Sequence, residues 1–134
     1  MAADIVIVDT NVVSYIFKKD TRAALYEPVL DGKLLMIAAQ SLAELELMPL
    51  VNRWEKKRHA ALRAFLKKYV FIEATEGVCL FWAEIQANAI RKGHPISVGD
   101  AWIAATALAY EVPLVTHNPR DFKNVQGLVV ISKS

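Results

Sequence analysis

Short apolar runs recur along this chain, separated by longer stretches in which apolar residues return every three or four positions. Ile5–Val8 reads IVIV and is closed by Asp9; residues 33–38 read KLLMIA, 69–72 YVFI, 114–116 LVT and 128–131 LVVI. Runs without a polar face suit strands buried on both sides, as in a parallel sheet. Between them the spacing predicts helices over 12–17, with Asp9 or Thr10 as cap, and over 21–30, ended at Asp31-Gly32. Ser41 followed three residues later by Glu44 has the spacing of a capping box, so a helix should open there. Beyond Pro49, Trp54, Ala61, Leu62, Phe65 and Leu66 are spaced for an amphipathic helix. Residues 76–91 form another, with Leu80, Ala83, Ala87 and Ile90 on the apolar face and Gly93 and Pro95 beyond its end. Residues 97–110 form a last, alanine-rich helix whose small side chains permit close approach to a sheet. Strand and helix alternate throughout, which predicts an α/β fold with a central parallel sheet flanked by helices.

With 134 residues, 54% of them hydrophobic and 22% charged, the chain has material for one domain spanning 1–134. The net charge of +2 is too small to demand a nucleic-acid partner, but its distribution is uneven. Arg53, Lys56, Lys57, Arg58, His59, Arg63, Lys67 and Lys68 are opposed only by Glu55 over that stretch. Such a run is more often a solvated helix face than a track for an RNA backbone. Cys79 is the single cysteine, which excludes an internal disulfide or a cysteine metal cluster and suits a reducing cytoplasm. It lies amid apolar neighbours and is expected in the core. No signal-peptide pattern opens the chain, and no apolar run approaches the ~20 residues needed to span a bilayer.

The candidate chemistry lies in acidic and amide residues at strand ends and helix starts. Asp9 ends the first predicted strand, Glu44 follows the second, Asp100 opens the helix leading to the fourth, and Asn118 and Asp121 follow the fourth. In open α/β sheets, ligands sit outside the carboxyl ends of the strands, so these residues can share one rim. Carboxylates gathered there repel one another unless a cation neutralises them. An oxygen-only set without histidine suits Mg2+ or Mn2+ better than zinc. Such a site can activate water for attack on a phosphodiester. Each acid also has a plainer role, Asp9 and Glu44 as capping residues, Asp100 as a helix-dipole partner and Asp121 in a turn. Their joint placement favours the metal site.

These segments resemble the PIN domain, and within it the VapC-type toxin ribonucleases of bacterial toxin–antitoxin pairs. The resemblance is carried by IVDTNVVSYI, SLAEL, GHPISVGDAWIAATALAYEVPLVTHNPRDF and the final GLVVI, and is loose between Met48 and Tyr69. It implies a magnesium-dependent endoribonuclease whose first three acids fall on Asp9, Glu44 and Asp100. Thr10 and Asn11 match residues that shape the site beside the first acid. The fourth position falls on Asn118, where some relatives carry Asp, or on the Asp121 of the NxxDF segment. The resemblance further implies an RNA substrate, a cognate VapB-like antitoxin that blocks the acidic pocket, and a homodimer.

Rival classes fit less well. A haloacid-dehalogenase-like phosphatase needs a second Asp two positions after the first, where this chain has Asn11. A receiver-type signalling domain begins with paired acids, whereas Asp9 is followed by Thr-Asn. A PIN-like module that only binds RNA or protein would have no need for clustered acids. His94 and His117 are isolated, and Trp102 reads as packing.

Overall fold

The computed structural model describes residues 4–134. Five strands, β1 (Ile5–Val8), β2 (Leu34–Ala38), β3 (Val70–Ile72), β4 (Leu114–Val115) and β5 (Val130–Ile131), form one all-parallel sheet in the order β3-β2-β1-β4-β5. Six helices connect them: α1 (Thr10–Lys18), α2 (Ala23–Leu30), α3 (Ala39–Val51), α4 (Lys56–Leu66), α5 (Glu76–Lys92) and α6 (Val98–Tyr110). A 3₁₀ turn, Pro119–Phe122, follows β4. The five expected strands are all present, which matches the α/β reading of the sequence.

Alternation along β1 assigns its side chains to two cores. Ile7 joins Met36, Ile72 and Leu114 under α5 and α6. Val6 and Val8 join Ile37 and Val115 under α1 to α4. Ala101, Ala104, Ala105 and Ala107 of α6 are fully enclosed, and their small size lets the helix lie close against the sheet. The chain leaves β1 toward β2 and β3, then returns on the other side as β4 and β5. The order therefore reverses between β1 and β4, which opens a crevice at their carboxyl ends.

Three local expectations are corrected. Helix α3 starts at Ala39 with Ala38 as its cap, so Ser41 lies inside the first turn, buried, and makes no capping box with Glu44. Strand β2 runs directly into the helix with no intervening turn, so its last residue, the buried Ala38, takes the cap position without a side-chain hydrogen bond. Helix α5 is rotated from its expected face: Leu80 is 62% and Ile90 79% exposed, whereas Val78 and Ile85 are buried. Phe81 and Trp82 pack beside them, and the Val78, Phe81, Trp82, Ile85 stripe has proper helical spacing. Apolar residues on several sides of α5 allowed two phases, and packing on α6 selected this one. The same rotation leaves Cys79 exposed rather than in the core. Trp102 does pack, stacked on Trp82 with ring centroids 5.2 Å apart.

The rotated phase has a direct consequence. Ile85→Ala should cost about 2–4 kcal/mol of unfolding free energy, and Ile90→Ala less than about 0.5, in urea melts. Equal losses would restore the other face.

Candidate active site at the carboxyl edge of the sheet

Asp9 sits where β1 ends and α1 begins, in an extended conformation that makes it the helix N-cap. One carboxylate oxygen accepts from the Thr10 backbone N–H at 2.8 Å. The other accepts from the Thr116 hydroxyl at 2.7 Å, across the β1–β4 crevice. Capping of α1 and a contact across the β1–β4 crevice are thus combined in one side chain. Only 5% of Asp9 is exposed, and burial lifts its carboxyl from 3.8 to about 6. The bonds from Thr116 and Thr10 oppose that rise, while the charges of Asp100 and Glu44 add to it.

Glu44 projects from α3 toward the same rim. The Thr10 hydroxyl donates to one of its oxygens and the Gln40 amide to the other at 3.0 Å. Gly99, in the first turn of α6, allows this approach. A Cβ there would stand 2.9 Å from Gln40 Nε2 and 3.3 Å from Glu44 Oε2. Asp100 follows, its backbone N–H donating to the Ser97 hydroxyl that caps α6. Its carboxyl is raised above the ordinary range by partial burial and by the charges of Asp121 and Glu44, against the Ser97 contact.

Asp9, Glu44 and Asp100 therefore lie within each other's electrostatic reach, as the sequence led one to expect. Asp121 lies exposed in the 3₁₀ turn and acts on Asp100. Among the described residues no three acids converge tightly enough to form a closed ligand cage, and the oxygens of Asp9 and Glu44 accept from donors of their own chain.

The amides frame the rim. Asn11 Oδ1 accepts from the His117 N–H at 3.3 Å, and the Asn118 N–H donates to the Thr116 hydroxyl at 3.1 Å. Asn118 itself is exposed. His117 is not idle: its Nδ1 lies 2.6 Å from the buried Tyr26 hydroxyl, which also accepts from the Lys133 N–H. Thr116, Gln40, Gly99 and Tyr26 were not singled out from the sequence. For Thr116 the only signal was its position at the end of the predicted 114–116 strand.

The PIN domain family model matches residues 6–128. The chain belongs to the PIN domain family. Among individual proteins, this PIN domain is 28% identical over 128 residues to "Ribonuclease VapC2" of Rickettsia felis, covering 94% of this chain and 96% of that one. It is 27% identical over 127 residues to "Ribonuclease VapC1" of Haemophilus influenzae, covering 92% and 94%. The crystal structure of VapBC2 from Rickettsia felis bound to a promoter DNA fragment is similar with a TM-score of 0.82 at 25% identity, over 97% of this chain and 99% of that one.

The electrostatics of Asp9 can be tested in the absence of divalent ions. Its folded-state pKa of about 6 exceeds the ordinary 3.8, so its contribution to stability is full at low pH and is lost as pH rises through 6. Asp9→Asn lacks that titration. Relative to the parent, it should gain up to roughly 3 kcal/mol between about pH 4 and pH 7.5 in chelator-containing melts. A difference that stays flat over this window contradicts the crowded, buried environment of Asp9.

Proposed function

We propose that this PIN domain is a VapC-type toxin, an endoribonuclease that hydrolyses RNA phosphodiester bonds with Mg2+ or Mn2+. The observation that carries the reading is the gathering of Asp9, Glu44 and Asp100 at the β1–β4 crevice, where their charges oppose one another. The donor set fits a hard cation: it is all oxygen, it has excess negative charge, and two of its members have raised proton affinity. Asp9, Glu44 and Asp100 would hold the ion, with Asp121 assisting from the rim through water. The ion supplies activation of water and stabilisation of charge developing on the phosphate.

The chain's own groups do the positioning. Thr116 and Thr10 keep Asp9 and Glu44 aimed at the crevice. Asn11 and Thr116 tie down the backbone of the 117–118 segment, from which Asn118 would orient phosphate or water. Water attack would leave a 5′-phosphate and a 3′-hydroxyl. The relatives' names support a ribonuclease, and the VapBC likeness supports a cognate VapB-like antitoxin. An antitoxin arginine would suit the acidic pocket through bidentate pairing. We also place the protein in the cytoplasm as a homodimer. No described helix is long and apolar enough to cross a membrane.

Purified, antitoxin-free protein should cut labelled total RNA with Mg2+ or Mn2+ and not with chelator. Asp100→Asn should slow cutting on the order of 100-fold or more while keeping the native circular dichroism spectrum. Undiminished cutting by this variant removes the assignment; no cutting by folded parent protein favours a binding module. Because Asp9 must shed its proton to hold the ion, and burial raises its proton affinity, activity should decline as the pH is made acidic, and less so at higher metal concentration. Gly99→Ala tests the positioning separately: Gln40 must yield to the new methyl, which displaces its contact with Glu44. Cutting should fall roughly 10-fold or more, with unfolding free energy within about 1 kcal/mol of the parent.

A further inference from the structure

A cleft of about 380 Å³ opens beside the acids, between the last turn of α5, the 93–97 connection and the 120–125 segment. Gly93 closes α5 in the left-handed conformation, φ 68°, and turns the chain back to make one wall. Asp100 and Asp121 belong to the cleft as well as to the acidic rim, so the two spaces are continuous. Beyond the acids the lining changes character: Lys92, Arg120 and Lys123 supply positive charge, and His94, Asn88 and Asn124 supply a ring and amides.

We propose that this cleft seats the unpaired ribonucleotide next to the phosphodiester that is cut. The position of the cut rests on the nuclease reading; the nucleotide seat rests on the cleft itself. The volume lies within the ~300–1,000 Å³ range of small-molecule sites, which suits a single nucleotide. Proteins read single-stranded RNA by stacking unpaired bases on rings or guanidinium planes, bonding base edges and neutralising phosphates. The lining offers each of these. Among the described residues, no ion pair engages Lys92, Arg120 or Lys123. Asn88 Oδ1 accepts from Arg91 at 2.6 Å, and its amide N–H groups remain to donate to a base.

The basic run on and around α4 is the competing RNA surface, and half of its side chains are otherwise engaged. His59 and Arg63 pair with Glu46, Arg58 lies 3.8 Å over the Trp54 ring, and Lys68 lies 4.2 Å over Phe65. Leu62 and Leu66 anchor α4 in the core opposite to that of α5 and α6. The positive charge contiguous with the acids is that of the cleft.

The test is binding of labelled single-stranded RNA oligonucleotides in chelator, where affinity is read without cleavage, alongside the cutting assay with metal. Arg120→Ala/Lys123→Ala should weaken binding about 10-fold and lower the salt slope by about 2. Lys56→Ala/Lys57→Ala on α4 should change affinity less than about twofold. Asn124→Ala should narrow the spread of affinities among oligonucleotides differing in one base. Losses confined to the α4 variant, absence of RNA binding by the parent, or a cleft that prefers an acidic peptide to RNA would each overturn the seat. RNA bound through the cleft but never cut removes the nuclease reading and keeps the seat. Cutting indifferent to the cleft variants does the reverse.

Discussion

A carboxylate buried at the end of the innermost strand is the constraint around which this molecule is organised. Asp9 follows three residues, Val6 to Val8, that are at most 1% exposed, so its side chain leaves the core directly into the β1–β4 crevice. Burying a charge there is costly unless hydrogen bonds or an opposite charge offset it. Two bonds do part of that work, one from the first N–H of α1 and one from Thr116. The remaining strain is expressed as a raised proton affinity, sharpened by two further acids nearby. A fold built only for stability has no reason to keep that arrangement.

The elements around Asp9 serve to bring partners close without filling the crevice. Alanines let α6 settle on the sheet, and Gly99 lets its first turn meet Gln40 and Glu44 of α3. Tyr26, enclosed beneath the 116–118 segment, links His117 to the Lys133 backbone and so braces the rim from behind. The acids thus stand on regular elements or directly at their ends. Such placement favours a preorganised site over one assembled on a mobile loop.

Much of this was legible in the sequence, for identifiable reasons. Strands whose carboxyl halves are enclosed on both faces must be apolar there, so IVIV and the LMIA of the second run stood out, and the acids that closed or followed them fell at one edge by topology. Helix phase was less legible. Leu80 and Ile90 satisfy a helical period as well as Val78 and Ile85 do, and only the surface of α6 distinguishes them. Ser41 and Glu44 have capping-box spacing, yet Ala38 takes the cap because the strand passes into the helix without a turn. The supporting contacts were hidden for a different reason. Thr116 meets Asp9 from 107 residues away and Tyr26 meets His117 from 91, and no local pattern reports such pairs.

The central proposal is that Asp9, Glu44 and Asp100 act jointly in holding a hard divalent cation. Calorimetric titration of Mn2+ into the purified protein and into Asp9→Asn, Glu44→Gln and Asp100→Asn tests it most directly. Each neutralisation should weaken binding by about 10-fold or more, since each removes one charged oxygen donor from the same ion. Mn2+ affinity indifferent to all three substitutions would contradict the account.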